Sequence, residues 1–380
     1  MSLTVLMNAG PWLPVPPHGY GGIENVIATL VPELRRLGVK VVLATVPQSS
    51  LTVDGRVHTV ERPMFESVAA PYNQVCGVTL AHMHTLVRAL QDGLEVDVVH
   101  DHLEVVGPAV LAAMGHDAPP SLQTLHWDLA KHADFYSTFD GRGRVRFAAV
   151  SQSQLDRAPA NLRRQAAGVV PLAVPAPPEL GAPRGEHVVS LARITADKGI
   201  DVAARVCRRA GVPLVLAGPV AGVNDPEELE RRLTDGDERL VGHPDVLFFQ
   251  REVAPWVDGE LVSWVGGVEG EEKELLLQTA RALVTPIRWA EPGGTAVVEA
   301  LVRGVPVVGT PRGCLPSLVQ HGVTGFLADE EDELVRCLGR LDELDPEACR
   351  SAAAPWTPRA MAMSYLNLYD RLLHGVGAAA

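Results

Sequence analysis

The feature that most constrains the fold is a repeated alternation of short β-branched runs with stretches of helical periodicity along nearly the whole chain. This alternation is typical of parallel sheets covered by helices, because a crossover helix must follow each strand before the next parallel strand can pair. Ten runs have the composition of strands: 3–7, 40–45, 96–100, 121–125, 145–150, 187–191, 213–217, 261–265, 282–286 and 305–309. The sequence therefore predicts an α/β protein.

A proline-rich stretch separates the ten runs into two sets of five. Prolines crowd 174–178 and 181–183, where they interrupt any regular element. A chain of 380 residues is also long enough for two domains of ordinary size. We expect two doubly wound, Rossmann-like domains, 1–175 and 176–355, that face each other across a cleft.

The last segment, 356–380, has no strand after it. Its apolar residues Met363, Leu366, Tyr369 and Leu373 recur at three- and four-residue spacing. This periodicity predicts a helix, which must dock on existing surface.

Charge and cysteine content exclude several classes of function. The net charge of −13 is the opposite of the basic footprint of a nucleic-acid-binding protein. The five cysteines form no C-x-x-C pair, which favours neither a disulfide framework nor a zinc site and indicates a reducing cytoplasm. No leader signature and no run of about 18 apolar residues is present, so we expect no integral membrane segment. The expected state is a monomer or homodimer whose partners are small molecules.

The segment from Glu291 to Glu299 carries the strongest chemical signal. Gly293, Gly294, Thr295 and Ala296 have the composition of a turn that begins a helix, where free backbone N–H groups favour a phosphate. The two carboxylates should lie about 12 Å apart at 1.5 Å per helical residue, too far for the acid pair of a typical glycosidase. The spacing suits one long ligand held at both ends, although an amphipathic helix with a surface Glu has the same pattern.

A basic pair follows the first strand of the second half. Only four of the 33 basic residues are lysines, so Lys198 before Gly199 stands out. Arg193 offers a planar fork and Lys198 a compact charge, and both suit a diphosphate. A surface ion pair is the alternative.

Two loci in the first half follow strands, where ligands bind in open α/β sheets. His126 and Trp127 come directly after the run 121–125, and the histidine can donate a hydrogen bond to a sugar hydroxyl or to a group that carries developing charge. The loop 16–24 contains Gly21 and Gly22, which allow close approach of a ligand to the backbone, but it lacks G-x-G-x-x-G spacing and also fits a plain turn.

Histidines are frequent between His82 and His132, which raises the possibility of a metal site. His82 and His84 should point to different sides of a helix, whereas His100 and His102 can share a strand face. Without a third ligand we expect no catalytic metal.

Taken together, six motifs resemble the retaining family 4 glycosyltransferases of GT-B fold. They are Gly21-Gly22-Ile23-Glu24, Asp97-Val98-Val99-His100, Thr124-Leu125-His126, Arg193-x4-Lys198-Gly199, Glu291-x7-Glu299 and Gly304-Val305-Pro306-Val307-Val308. The resemblance covers nearly the whole chain, and its basic and double-Glu motifs are the most specific.

The resemblance implies transfer of a sugar from a nucleotide diphosphate sugar, with retention of configuration, to a hydroxyl of a natural product, saccharide or glycolipid precursor. No cofactor or metal is implied, and UDP, GDP and dTDP donors are not distinguished. The first domain would hold the acceptor and the second the donor, and the last helix, within 356–380, would cross back onto the first domain. The implied catalytic residues are His126, Arg193, Lys198 and Glu291; the implied donor contacts are Gly21, Gly22, Arg193, Lys198, Glu291, Gly293, Gly294, Thr295, Ala296 and Glu299; the implied acceptor contacts are Tyr20, Glu24, His100 and Trp127.

Two departures from the family pattern concern donor choice. Gly293-Gly294-Thr295 follows Glu-Pro where the family often has Phe-Gly or Cys-Gly, and Gly313-Cys314-Leu315-Pro316-Ser317 replaces Gly-Gly-x-Pro-Glu. Both variants are similar to those of actinobacterial natural-product glycosyltransferases. A GT-B sugar phosphorylase or epimerase, and a non-catalytic nucleotide-sugar-binding protein, remain alternatives.

Overall fold

The computed structural model describes residues 3–19, 21–69 and 71–376. The chain forms two compact units: unit 1 consists of Met1–Pro175 with Trp356–Ala380, and unit 2 of Ala176–Pro355.

Unit 1 is built on a parallel sheet of seven strands in the order β3-β2-β1-β4-β5-β6-β7. The strands are β1 (Thr4–Asn8), β2 (Lys40–Thr45), β3 (Gly55–His58), β4 (Val98–Asp101), β5 (Ser121–Leu125), β6 (Val145–Ala149) and β7 (Ala166–Val169). Its helices before the proline-rich stretch are α1 (Gly22–Arg36), α2 (Tyr72–Gln91), α3 (Val106–Ala113), α4 (Ala133–Thr138), α5 (Gln152–Arg157) and α6 (Ala160–Gln165).

Unit 2 repeats the same winding with six parallel strands in the order β10-β9-β8-β11-β12-β13. They are β8 (Val188–Leu191), β9 (Leu214–Ala217), β10 (Val262–Gly266), β11 (Leu283–Thr285), β12 (Val307–Gly309) and β13 (Gly325–Leu327). The helices are α7 (Ile200–Ala210), α8 (Pro226–Thr234), α9 (Pro244–Phe248), α10 (Gly270–Thr279), α11 (Thr295–Val302), α12 (Leu315–Leu318), α13 (Glu331–Leu338) and α14 (Pro346–Ala353). The predicted pair of Rossmann-like domains is confirmed.

All ten predicted runs overlap observed strands, but β3, β7 and β13 were not predicted. Each of these three lies at an edge of its sheet. An edge strand pairs on one side only and is partly exposed, so it needs no continuous apolar run. Gly55–His58, for example, alternates between half-buried and exposed residues, whereas Val98–Asp101 at the sheet centre is buried throughout.

Strand order reverses once in each unit. In unit 1 the reversal lies between β1 and β4, and in unit 2 between β8 and β11. At such a switch point the connections leave in opposite directions and open a crevice at the carboxyl ends of the two strands, where ligands of doubly wound sheets bind.

The last helix, α15 (Pro358–Val376), packs against α1 in the core of unit 1. Its buried residues are Met361, Ala362, Tyr365, Leu368, Tyr369 and Leu372. Of the predicted stripe, Tyr369 is buried, Leu366 and Leu373 are partly buried against the same core, and Met363 is 50% exposed. The centre of the buried face therefore lies about one position away from the predicted stripe. Tyr365 and Tyr369 both reach buried polar partners on this face. Among the described residues, no helix combines the length and apolarity needed to cross a membrane.

Candidate functional site

In unit 2 the segments after β8 and β11 touch at the switch point. A short 3-10 helix, Ala196–Lys198, ends at Gly199, whose φ of 65° is left-handed. A Cβ on Gly199 would lie 2.0 Å from the carbonyl oxygen of Pro286, just after β11. Only glycine fits this contact. The backbone therefore brings the loop 193–199, called the basic loop below, against the segment that carries Glu291.

Lys198 and Glu291 form an ion pair at this contact. Lys198 Nζ lies 2.5 Å from Glu291 Oε2, and the two side chains are 19% and 17% exposed. The same ammonium lies 4.8 Å from the centre of the Trp289 ring, an additional favourable contact for a cation. The ammonium has three donors, so its pairing with Glu291 leaves further N–H groups for an anion.

Arg193 lies on the same loop and is exposed. Within the described part of the chain its guanidinium has no ion-pair partner. It thus offers a fork of donors beside Lys198 that is not neutralised by a carboxylate.

Arg288 fastens the two segments to each other and was not predicted. Its backbone N–H donates to Asp197 O at 2.8 Å, and its Nη2 lies 2.5 Å from Asp201 Oδ2. Asp201 is 3% exposed and also accepts from Arg205 Nη1 at 2.9 Å. These bonds fix the loop that carries Lys198. Arg288 also follows a strand, β11, but its partner Asp201 lies 87 positions away, so the sequence offered no reason to select it.

The helix start expected at Gly293 and Gly294 is present. Gly294 precedes α11 with a φ of 61°, and no side chain caps this helix end. Its carbonyl accepts from Val297 N at 2.9 Å, while Thr295 and Ala296 supply the first two amides of the helix. Backbone donors at an uncapped helix start are suited to an anion.

Gly313, which follows β12, packs against the segment that carries Glu291. It has a φ of 59°, and a Cβ there would lie 2.2 Å from Glu291 N. The next residue, Cys314, donates its backbone N–H to Glu291 O at 2.9 Å. The Gly-Cys variant of the family motif therefore packs directly on the segment that presents Glu291.

Glu299, in the second turn of α11, pairs with Lys273 of α10 at 2.9 Å. Its carboxylate is 17% exposed, and its backbone carbonyl accepts from Arg303 Nη1 at 2.6 Å. Lys273 was missed, although the scarcity of lysine that singled out Lys198 applies equally to it.

In unit 1 the Gly21–Gly22 turn begins α1 after β1. A Cβ on Gly21 would lie 2.6 Å from Pro17 Cβ, whereas one on Gly22 would meet open space. Glu24 is 4% exposed, and burial raises the pKa of its carboxyl to about 7. Tyr20 lies outside the described residues.

His126, at the end of β5, is half-buried and hydrogen-bonded to a second histidine. Its Nε2 lies 2.7 Å from Nδ1 of His102, and the two rings stack with centroids 5.0 Å apart. Burial lowers the pKa of His126 to about 3, so the ring is neutral at pH 7. The adjacent Trp127 is half-buried and donates its ring N–H to Tyr136 OH at 2.7 Å.

His100, which the resemblance implies as an acceptor contact, lies in the core of unit 1. The ring is 0% exposed, and both nitrogens are occupied: Nε2 bonds Thr124 Oγ1 at 2.8 Å and Nδ1 bonds Tyr369 OH at 2.6 Å. Burial lowers its pKa to about 3. His100 is thus a core residue that anchors α15, because Tyr365 OH also bonds Thr124, at 2.9 Å.

A further buried polar network lies on the β1–β4 switch point of unit 1. His82 Nδ1 bonds Thr59 Oγ1 at 2.5 Å and its Nε2 bonds Asn8 Oδ1 at 2.5 Å. Asn8 Nδ2 donates to Asp101 Oδ1 at 2.7 Å, and Gln123 Nε2 donates to Asp101 Oδ2 at 3.1 Å. Burial lowers the pKa of His82 to about 3 and raises that of Asp101 to about 7.

His82 is buried and His84 exposed, as their spacing on α2 requires. His100 and His102 do lie together, with ring centres 4.3 Å apart. Within the described ranges, no group of three or more His, Cys, Asp or Glu side chains is placed to hold a metal ion.

Two family models match the chain in succession. Residues 20–170 match Glycosyltransferase Family 4, and residues 178–349 match Glycosyl transferases group 1. Among curated proteins, the amylovoran biosynthesis glycosyltransferase AmsK of Erwinia amylovora is 28% identical over 156 residues, which are 38% of this chain and 33% of that protein. The match thus spans about a third of the length of this curated relative.

Solved structures match over nearly the full length. AviGT4, a glycosyltransferase involved in avilamycin A biosynthesis, is 26% identical with a TM-score of 0.65, and the match covers 98% of each chain. HepE of Anabaena, solved with UDP and glucose, is 16% identical with a TM-score of 0.59, over 99% of this chain and 100% of that one. At that identity the second likeness concerns the fold alone. The chain therefore has the GT-B fold and carries a Glycosyltransferase Family 4 domain followed by a Glycosyl transferases group 1 domain.

Proposed function

We propose that the protein is a retaining glycosyltransferase that moves a sugar from a nucleotide diphosphate sugar to a hydroxyl acceptor. The observation that carries the proposal is the arrangement at the unit 2 switch point. There Arg193 and the Lys198–Glu291 pair lie on contacting loops, and the segment of Glu291 leads into the uncapped start of α11.

The chemistry of these groups fits a nucleotide diphosphate sugar. Arg193 and Lys198 neutralise the leaving diphosphate, and the amides from Gly293 to Ala296 contact phosphate or sugar oxygens. Glu291 accepts hydrogen bonds from sugar hydroxyls. Glu299, further along the helix, binds the ribose diol.

The fixed cations make a divalent metal unnecessary in this proposal. Charge develops on the diphosphate as the glycosidic bond breaks, and preorganised donors stabilise it without moving. Retention requires the acceptor hydroxyl to attack the face from which the diphosphate leaves. The unit 1 residues Gly21 and Gly22 close on the diphosphate in this scheme.

His126 meets the sugar near the reacting carbon, and Tyr20, Glu24 and Trp127 contact the acceptor. AviGT4 acts in avilamycin A biosynthesis, which favours a natural product as the acceptor over a saccharide or glycolipid precursor.

The test is a thermal-shift screen with UDP-glucose, GDP-mannose, dTDP-glucose and ADP-glucose, each with and without EDTA. A donor at 100 times its Kd adds about 2.7 kcal/mol of stability, which raises Tm by about 5–10 °C for domains of this size. The donor that shifts Tm should then be hydrolysed slowly, with release of its nucleoside diphosphate. Tight binding without turnover across a broad acceptor panel would contradict the enzymatic assignment.

A further inference from the structure

Three histidines in unit 1 form a row of neighbouring rings that ends at His126. His100 is fully buried, His102 is 2% exposed and His126 is half-buried. Their ring centres are 4.3 Å and 5.0 Å apart along the row. The middle ring, His102, uses both of its nitrogens: Nδ1 faces His126 Nε2 at 2.7 Å, and Nε2 faces the sulfur of Met7 at 3.2 Å.

The sulfur of Met7 determines where His102 carries its proton. A thioether has lone pairs and no hydrogen, so it can only accept a hydrogen bond. An unprotonated Nε2 would point a lone pair at the lone pairs of the sulfur, in a core where Met7 is 0% exposed. The proton of His102 therefore lies on Nε2, and Nδ1 carries a lone pair.

The protonation of His102 determines which nitrogen of His126 carries a proton. Burial, together with the neighbouring histidines, lowers the pKa of His102 well below its ordinary value, so the ring has one proton only. Because its Nδ1 must accept, His126 Nε2 must donate across the 2.7 Å contact. His126 is neutral as well, so its own Nδ1 is left without a proton, and no described residue bonds it.

We propose that Met7 and His102 are positioning residues that hold His126 with a bare Nδ1, so that His126 acts toward its ligand as a hydrogen-bond acceptor. The identity of that ligand as a sugar rests on the proposed function. The sequence alone suggested that His126 donates a hydrogen bond to its ligand. The chain of contacts from Met7 through His102 to His126, called the relay below, reverses that role. The ligand group that contacts His126 must then be a hydrogen-bond donor, such as a hydroxyl or an amine. A ligand with fluorine or a methyl ether at that position should bind poorly, because neither group can donate a hydrogen bond.

The relay is tested directly in the ligand-free protein. The full chain is labelled with [15N]histidine, and long-range proton–nitrogen correlation spectra identify which nitrogen of each ring is protonated. His102→Gln and His126→Gln assign the two rings. We expect both rings to be protonated at Nε2 between pH 6.5 and 8. Protonation of His126 at Nδ1 would overturn the proposal, whatever the enzyme does with a sugar.

Met7→Leu removes the sulfur and keeps an apolar side chain of similar size. Loss of a weak hydrogen bond should shift the tautomer ratio of His126 about fivefold toward protonated Nδ1. The matched control is Met83→Leu, because Met83 is equally buried and its sulfur accepts from Asn8 at 3.3 Å, not from a histidine. An unchanged ratio in Met7→Leu would refute the role of the sulfur, and the wild-type spectrum still decides the relay if that variant does not fold.

The specificity arm uses the donor identified by the thermal-shift screen, with its sugar hydroxyls replaced singly by fluorine. In the wild type, we expect fluorine at one sugar position to lower kcat/KM far more than fluorine at the others. This difference between positions should become smaller in His102→Leu. It should persist in His102→Asn, because the amide oxygen of asparagine can still accept a hydrogen bond from His126. Equal sensitivity at every hydroxyl would contradict the acceptor role while leaving glycosyl transfer itself intact.

Discussion

Acid should destabilise unit 1 steeply, because it holds four neutral histidines, of which three are buried and His126 is half-buried. Burial lowers the pKa of His82, His100 and His126 to about 3 and that of His102 well below its usual value. Their unfolded pKa is about 6.5. Between these values the unfolded chain binds more protons than the folded one, so the stability that these residues contribute is present above pH 6.5 and is lost as the pH falls toward 3.

Two buried carboxyls act in the opposite sense. Glu24 and Asp101 have a pKa raised to about 7, so the folded protein keeps protons that the unfolded chain releases above about pH 4. Near pH 5, unfolding thus takes up about four protons at the imidazoles and releases about two from the carboxyls. The net uptake of about two protons gives a slope of about 2.7 kcal/mol per pH unit. Two pH units then remove about 5 kcal/mol, a large fraction of ordinary stability.

The assay is urea unfolding at pH 6.5, 5.5 and 4.5, followed by fluorescence. In His82→Gln the slope should fall by about 1.4 kcal/mol per pH unit, since one neutral imidazole is removed. His84→Gln, which removes an exposed histidine from the same helix, should keep the wild-type slope. A free energy of unfolding that stays constant over this range, or an unaltered slope in His82→Gln, would refute the reasoning.

Three further substitutions test the site and its supports. Lys198→Ala should lower kcat about 100-fold or more by removing charge stabilisation, and should cost about 1–3 kcal/mol of stability because it leaves the mostly buried Glu291 carboxylate without its partner. Exposed Lys40→Ala is the unaffected control. Gly313→Ala should weaken donor binding and lower Tm by about 5 °C, because the added Cβ would displace the loop that carries Glu291. Gly222 also has a positive φ, but a Cβ there would meet open space, so Gly222→Ala should bind the donor normally. Tyr369→Phe should cost about 1–3 kcal/mol in urea unfolding, since it leaves a buried ring nitrogen without its partner.

The central strands were predictable because they are buried on both faces and read as continuous apolar runs. The basic loop and the Glu291 segment were predictable for a related reason: both follow strands, and the carboxyl ends of neighbouring parallel strands lie at one edge of the sheet. Gly199 makes that neighbourhood a direct backbone contact. The roles assigned to these site residues stay predictions.

Features that depend on side-chain packing could not be predicted from the sequence. Nothing in the pattern distinguishes the two possible stripes of α15 or indicates that His100 is sealed between Thr124 and Tyr369. Arg288 escaped notice for the same reason, because its partners are far away in sequence. The proton relay through His102 depends on the contact with Met7, which lies on a neighbouring strand and 95 positions away.

The measurement that tests the account most directly is amide hydrogen exchange of the intact protein, with and without the nucleoside diphosphate of the donor that raises Tm. We predict slower exchange in peptides that cover 193–199 and 291–299, because the diphosphate would be held by the basic loop and the start of α11. Protection that is absent from both peptides, or confined to other parts of unit 2, would contradict the claim that the donor binds at this switch point.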